Sequence, residues 1–533
     1  MIYFDCNVCI GKHGTKPPLE PWRTEDILRA MERCGIAGAL VYHGMAKDYA
    51  PKYGNGLLAA ELKKSSRLFG CYVVGPNQAE DFYGPEEMLA DIRRIGCVAA
   101  RMFPKTHHYA ADERTMGGVY RMLEGAGLPL LVEYNEIDMR DLAGALGGHP
   151  GLKVILLGVP WSHERILFPL MDSFPNLHTD LSYLQSNRII EILHGRYGLG
   201  RVLFGSNLPR QSAGAARAFA DFSELPGAEL QKFAGGNLSA MTGVTPSPAG
   251  ELKGGRILRG AAAGRPCPVP VIDSHAHYQP PGHATGAGYM MREGDINHMV
   301  RFNDRLGVEK FCVAPWIGIW SDCEEGNQAA LAMQEQYPGR VYPYLLIDPN
   351  YVDDIEGTAR LYHLEHGFPG IKMFYARTGA RYNDPMFAPW WALAEQYRLF
   401  TLMDNCGYPT FLQDVEELVA RYPNVSFFLD HAGQSFEIAT RYAPYAREYL
   451  NVYLQLTYTT VTEGVIEYFC REGLADKVMY GTDAPMRDMR PQLSWVAFAG
   501  VSEEDKAKIL GGNMQRVLNR RRNSRLCGHG GNG

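Results

Sequence analysis

Nowhere in its 533 residues does the chain string together the ~18 uninterrupted apolar residues that a membrane-spanning helix needs. It has no excess of basic charge either. Lys and Arg number 53 against 59 Asp and Glu, a net charge of −6. Without a basic field, sequence-independent binding of nucleic acid is excluded. The start, MIYFDCNVCIGKHGTK, has no basic segment ahead of an apolar run, so no signal peptide is expected there. Cysteine is sparse: 11 residues, odd in number and scattered. That pattern excludes a disulfide framework and suits free thiols in a reducing cytoplasm. What remains is a chain 46% hydrophobic, long enough for two or more domains with full cores. A small-molecule substrate is the expected partner, with neither nucleic acid nor membrane.

The first chemical signal is FDCNVCIG, with Cys6 and Cys9 in a C-x-x-C spacing. On a strand these two point to opposite faces and cannot readily pair. An internal repeat gives the stretch another meaning. VIDSHAHYQP (271–280) echoes IYFDCNVCIG (2–11), and PGIKMFY (369–375) echoes VAARMFP (98–104). KVMYGTDAP (477–485) echoes RVLFGSNLP (201–209), and KILGGNMQRVL (508–518) echoes KFAGGNLSAMT (232–242). The order is kept at an offset of roughly 270 residues, as a duplicated domain requires. The copies span 1–244 and 271–519. Residues 245–270, rich in Gly, Pro and Ala, read as a linker, and 520–533 as a disordered tail.

Within copy two, short apolar runs alternate with amphipathic segments: VIDSH, KFCVAPW, YPYLLID, GIKMFY, FTLMDN, VSFFLDH, VYLQL and KVMYGTD. Strands that are apolar throughout are expected where both faces are buried. Eight β-α units in about 250 residues predict an α/β fold of two tandem TIM (β/α)8 barrels, with a doubly wound open sheet as runner-up. In a barrel the C-terminal strand ends converge on one mouth. In copy two those ends carry Asp273, His275, His277, Lys372, Asp404, Asn405, Asp430, His431 and Asp483. His275 and His277 are two apart on a strand, so both rings face one side. Two neutral imidazoles suit a transition metal, and Asp483 can complete the shell or act as a base on bound water.

These motifs resemble the amidohydrolase superfamily, in its ACMSD-like branch of metal-dependent hydrolases and decarboxylases. The carriers are IDSHAH, GIKMF, LDHAG, MYGTDAP and the ILGGN helix start, in that order. The resemblance covers copy two and, more faintly, copy one. It implies barrels of the metal-dependent hydrolase type. It implies one divalent metal, Zn²⁺ first and Mn²⁺ second, held by His275, His277 and Asp483. It also implies that His431 assists the chemistry as base or electrophile.

The family's strand-five metal-binding His is replaced by Asn405 in LMDNCG. Three strong ligands remain, as in many catalytic zinc sites. Alternation along the strand would turn Asp404 and Cys406 away from the side Asn405 faces. Lys372 is read either as a carbamylated bridge between two metals or as a plain cation for a substrate carboxylate, with an ion pair to Asp404 or Asp430 as the bland alternative. Arg377 and Arg487 are loop cations that could add to it. Trp316, Trp320, Tyr375 and Tyr458 would suit a planar substrate. Asp430 is expected to pack rather than to act with His431.

In copy one the matching positions are Asn7, Cys9, Arg101, Tyr134, Gly158 and Asn207, which leave no strong ligand set. Copy one is therefore read as structural. The expected function is hydrolysis of a small carboxylated or cyclic substrate through metal-activated water in the C-terminal barrel. The alternatives are non-oxidative decarboxylation, or a pseudoenzyme that serves as a binding scaffold. The chain as a whole could form a homodimer.

Overall fold

The computed structural model describes residues 1–14, 19–282, 285–286 and 288–521. The tail expected beyond 519 lies outside the described residues from 522 onward. Two units emerge, Met1–Gly254 and Gly255–Gly533.

The first unit is an eight-stranded parallel sheet in sequential order: β1 Tyr3–Ile10, β2 Ile36–His43, β3 Leu68–Val73, β4 Cys97–Met102, β5 Leu130–Glu133, β6 Val154–Leu157, β7 Leu177–Asp180 and β8 Val202–Leu203. It closes on itself, with Cys6 N donating to Phe204 O and Cys9 N to Leu208 O, both at 2.9 Å. The second unit repeats the plan: β9 Val271–Tyr278, β10 Val308–Pro315, β11 Val341–Leu346, β12 Gly370–Met373, β13 Phe400–Met403, β14 Ser426–Leu429, β15 Val452–Leu456 and β16 Val478–Tyr480. Here Asp483 N donates to His275 O at 2.8 Å and His277 N to Ala484 O at 2.6 Å. Both units are TIM barrels, as the strand count predicts.

The strands read as near-continuous apolar runs because helices cover the sheet from outside while the interior is filled with side chains. Every residue of β13 and β14 is buried. Phe400 stacks on Phe428 at 5.1 Å, and Tyr344 meets Phe400 edge-on at 5.5 Å. The helices between carry local start and stop signals. Asp295 accepts from the backbone of Asn297 and His298 to open the helix Ile296–Leu306, and Gly307, at φ +81°, ends it.

The duplication extends to buried polar clamps. Asp5 Oδ1 accepts from Asn7 N and Ser206 N, both at 3.0 Å. Asp273 Oδ1 does the same for His275 N at 2.9 Å and Thr482 N at 3.1 Å. Each ties the first strand to the loop after the eighth. Asn55 grips Val73 through both its N–H and its C=O, and Asn327 grips Leu346 in the same way. Within the stretch 245–270 a helix forms at Arg256–Ala262, with Ile257 and Leu258 buried and Glu503 accepting from Ile257 N at 2.9 Å.

Candidate active site

The β9 strand delivers the two histidines. His275 and His277 are both almost fully buried, on the same face of the strand, with ring centroids 5.1 Å apart. Asp483 follows β16 at φ +63°, in the left-handed region that non-glycine residues seldom adopt. That conformation aims its carboxylate back at the histidines. Asp483 Oδ1 lies 2.8 Å from His277 Nε2 and 3.3 Å from His275 Nε2. One ligand atom from each of the three residues lies within 4.8 Å of the other two.

Neighbouring groups fix which nitrogen of each ring is available. His277 Nδ1 sits 3.0 Å from Ala314 O, and His275 Nδ1 sits 3.1 Å from Asp430 Oδ1. Burial lowers the pKa of His275 to about 4 and drives that of His277 well below its ordinary value. Both rings are therefore neutral near pH 7 and hold one hydrogen each. The His277 ring lies between two acceptors, Ala314 O and Asp483 Oδ1, and one hydrogen cannot serve both. A cation between Nε2 and the carboxylate removes that conflict. The donor set fits a divalent ion held by His275, His277 and Asp483, with Ala314 O and Asp430 orienting the imidazoles from behind. Asp430 is fully buried, yet it does not only pack: its Oδ1 lies 3.1 Å from His275 Nδ1 and 3.4 Å from His431 Nδ1.

Lys372, at the end of β12, reaches into the same cluster. Its Nζ lies 2.5 Å from His275 Nε2 and 3.8 Å from Asp430 Oδ2, and burial lowers its pKa. Arg487 pairs with Asp483 Oδ2 and donates to Thr459 Oγ1, and burial brings its pKa down to about 10. His431 follows β14 at φ +54°, stacks on His275 at 5.6 Å, and places Nδ1 3.1 Å from Thr457 Oγ1.

These groups open into a cavity of about 500 Å³. Trp316 and Trp320 line one wall, with Trp316 edge-on to His277 at 5.2 Å. Neither indole N–H has an acceptor among the described residues. Asn405 also lines the cavity and donates to the Tyr442 hydroxyl. Arg377 does not line it. It sits exposed on the short helix Tyr375–Thr378, whose Ala376 faces the cavity instead, because successive helical side chains diverge. Tyr375 stacks on Tyr408 at 4.0 Å, and Tyr408 is the one that lines the cavity. The expectation that alternation hides Asp404 and Cys406 is also corrected. The β13 strand ends at Met403, so its period does not govern the residues beyond, and Asp404, Asn405 and Cys406 all line the cavity. Arg441, from the helix Phe436–Glu448, is a lining cation with no strand-end signature in the sequence.

The matching mouth of the first barrel is closed. Arg101 is 1% exposed and stands where Lys372 stands in the second barrel. It donates to Asn7 Oδ1 at 2.9 Å and to Glu133 Oε1 at 2.6 Å, and lies over the Tyr42 ring at 4.3 Å. A space of about 10 Å³ remains beside Cys9, Glu133 and Asn207, room for about one water. Among the described residues, both clusters of three ligand groups belong to the second barrel. Cys6 and Cys9 are free thiols, and burial raises both pKa values.

A family model described as amidohydrolase matches residues 13–237 and again 272–520. No curated protein sequence matches the chain. Among solved structures, an uncharacterised TIM-barrel protein from Bordetella bronchiseptica aligns at 17% identity, over 47% of this chain and 99% of its own, with a TM-score of 0.39. A dihydroxybenzoic acid decarboxylase from a Polaromonas species, solved with manganese and an inhibitor, aligns at 15% identity over 48% and 99%, with a TM-score of 0.37. A 5-carboxyvanillate decarboxylase from Sphingomonas paucimobilis aligns at 14% identity over 48% and 99%, with a TM-score of 0.38.

Proposed function

The chain belongs to the amidohydrolase family, and from that premise we propose that its second barrel is a metal-dependent hydrolase for a small, planar, carboxylated molecule. The observation that carries this reading is the convergence of His275, His277 and Asp483, the last two lining a cavity together with Trp316 and Trp320. A divalent ion held there supplies the positive charge that polarises water or a carbonyl group. The chain's own residues do the rest. Lys372, Arg441 and Arg487 attract and orient a carboxylate, the last two from the cavity wall. Trp316 and Trp320 give flat faces to a ring and two N–H groups to an acceptor on it. Asn405, held by Tyr442, offers an amide for orientation, and His431 moves a proton. The first barrel, with its mouth filled by Arg101, serves the fold and not the chemistry.

Non-oxidative decarboxylation is the second reading. What favours it is the grouping of three cationic side chains, Lys372, Arg441 and Arg487, in a cavity that Trp316 and Trp320 also line, which is a place to seat a carboxylate beside an aromatic ring. Metal analysis of the full chain, prepared without chelator and supplied with Zn²⁺ or Mn²⁺, tests the common core of both readings. One equivalent per chain is expected, and His275→Ala should abolish it. Less than about 0.2 equivalents in the unaltered protein overturns both. Release of CO₂ from a panel of ring carboxylates, against release of a hydrolysis product from their amides and esters, then separates the two.

A further inference from the structure

A second cavity lies in the first barrel, to one side of its filled mouth. It measures about 550 Å³ and sits among the loops that follow β1 and β2. That size suits a small molecule, and the C-terminal ends of barrel strands, where these loops lie, are the usual place for one. Trp22, Met45 and Leu57 give the cavity flat and apolar surface.

The charges of its wall divide into two groups. The acids are already taken. Lys64 Nζ lies 3.0 Å from Glu25 Oε1 and 2.8 Å from Glu61 Oε2, and the Thr24 hydroxyl donates to Glu61 Oε2 at 2.5 Å. Lys12 and Arg23 are not taken in this way. Among the described residues neither has a carboxylate within ion-pair distance. Both lie over the Trp22 ring, at 5.6 Å and 5.3 Å from its centre.

His43 adds a donor. It ends β2 and is 6% exposed. Its Nδ1 accepts from Met45 N at 3.1 Å, which opens the short helix Gly44–Asp48. Nδ1 therefore carries no hydrogen, and the hydrogen of the neutral ring sits on Nε2. Nε2 has no partner among the described residues. The ring tip reaches over Gly11, where a Cβ would lie 2.1 Å from Nε2, and both residues line the cavity. This imidazole is no part of the duplicated framework. His43 pairs in register with Ile10 and Pro315 with Tyr278, so the second barrel has proline at the matching place.

We propose that the first barrel binds a small ring carboxylate in this cavity. The carboxylate takes the Nε2 hydrogen of His43 and the charges of Lys12 and Arg23, and the ring packs among Trp22, Met45 and Leu57. The site is independent of the metal and the chemistry of the second barrel.

Fluorine NMR of the full chain labelled with 5-fluorotryptophan reads each of its seven tryptophans. The signals of Trp22, Trp316 and Trp320 are identified by their loss in the three Trp→Phe variants. Benzoate is the probe. The Trp22 signal is expected to move and to saturate below about 10 mM benzoate, and not to move with inorganic phosphate at the same concentration. Lys12→Gln combined with Arg23→Gln, both exposed positions, should weaken the effect about tenfold. His43→Asn keeps an acceptor for Met45 N but places no hydrogen over Gly11, and should weaken it as much. A Trp22 signal that fails to saturate, that answers phosphate equally, or that keeps its affinity in either variant overturns the inference. Trp316 and Trp320 report on the second cavity. Movement of those two signals alone overturns the site in the first barrel and leaves the proposed function standing.

Discussion

A buried neutral imidazole is a proton choice made by its neighbours, and His363 shows it far from the mouth of the barrel. Its Nδ1 donates to Phe368 O and its Nε2 accepts from Trp390 Nε1, both at 2.8 Å. A second proton would break the Trp390 bond. Burial lowers the pKa of His363 to about 4, and does the same for His178 in the first unit. The unfolded chain takes up a proton at each near its ordinary value of 6.5, and the folded chain does not until about 4. The contribution of these two histidines to stability is therefore full above 6.5 and falls as pH drops toward 4. Each histidine should contribute about one proton of pH dependence in this window, against the opposite slope of Asp5 and Asp273, whose buried carboxyls are pushed up to about 7, so the histidine share is read from thermal melts of the variant against the unaltered protein. His363→Gln should flatten the slope of the second unit by about one proton. An unchanged slope would show that His363 already titrates in the folded chain. At the same scale the sequence was least legible at Asp404 and Arg377. Side-chain direction follows a strand's period only while the strand lasts, and β13 stops one residue short of Asp404.

Elements are joined by a few buried side chains that satisfy backbone groups at strand ends. Asn327, on the helix Cys323–Gln336, donates to Leu346 O and accepts from Leu346 N, both at 2.9 Å. Those backbone groups sit where β11 ends and the loop toward the cavity begins. Asn327→Ala leaves both unpaired away from water, and should cost about 2–4 kcal/mol by denaturant unfolding of the second unit. A loss under about 0.5 kcal/mol would mean that water or a shifted side chain replaces the clamp. At this scale the sequence was most legible. All eight apolar runs quoted from copy two became strands, because a strand buried on both faces must stay apolar along its length. The stretch 245–270 was less so. A seven-residue helix whose buried residues are Ile257, Leu258, Gly260 and Ala261 is too short to show a period.

At the scale of the whole molecule, the four ordered echoes were enough to read a duplication, since the strand ends that close a barrel keep their glycines and carboxylates. What they could not show was how each mouth is filled. That depends on side chains brought together from strands far apart in sequence: a guanidinium in one barrel, three ligand groups and an ammonium in the other. The two units have separate cores, so calorimetry of the full chain should resolve two transitions.

The guanidinium of Arg101 is a cation that cannot dissociate. On the function proposed above, the second barrel borrows its central positive charge from solution, while the first carries its own on a covalent tether. A chelator can take the one and not the other. EDTA should lower the transition of the second unit and leave that of the first in place, whereas Arg101→Ala, which removes the buried cation between Asn7 and Glu133 and leaves Glu133 with Lys47, should do the reverse.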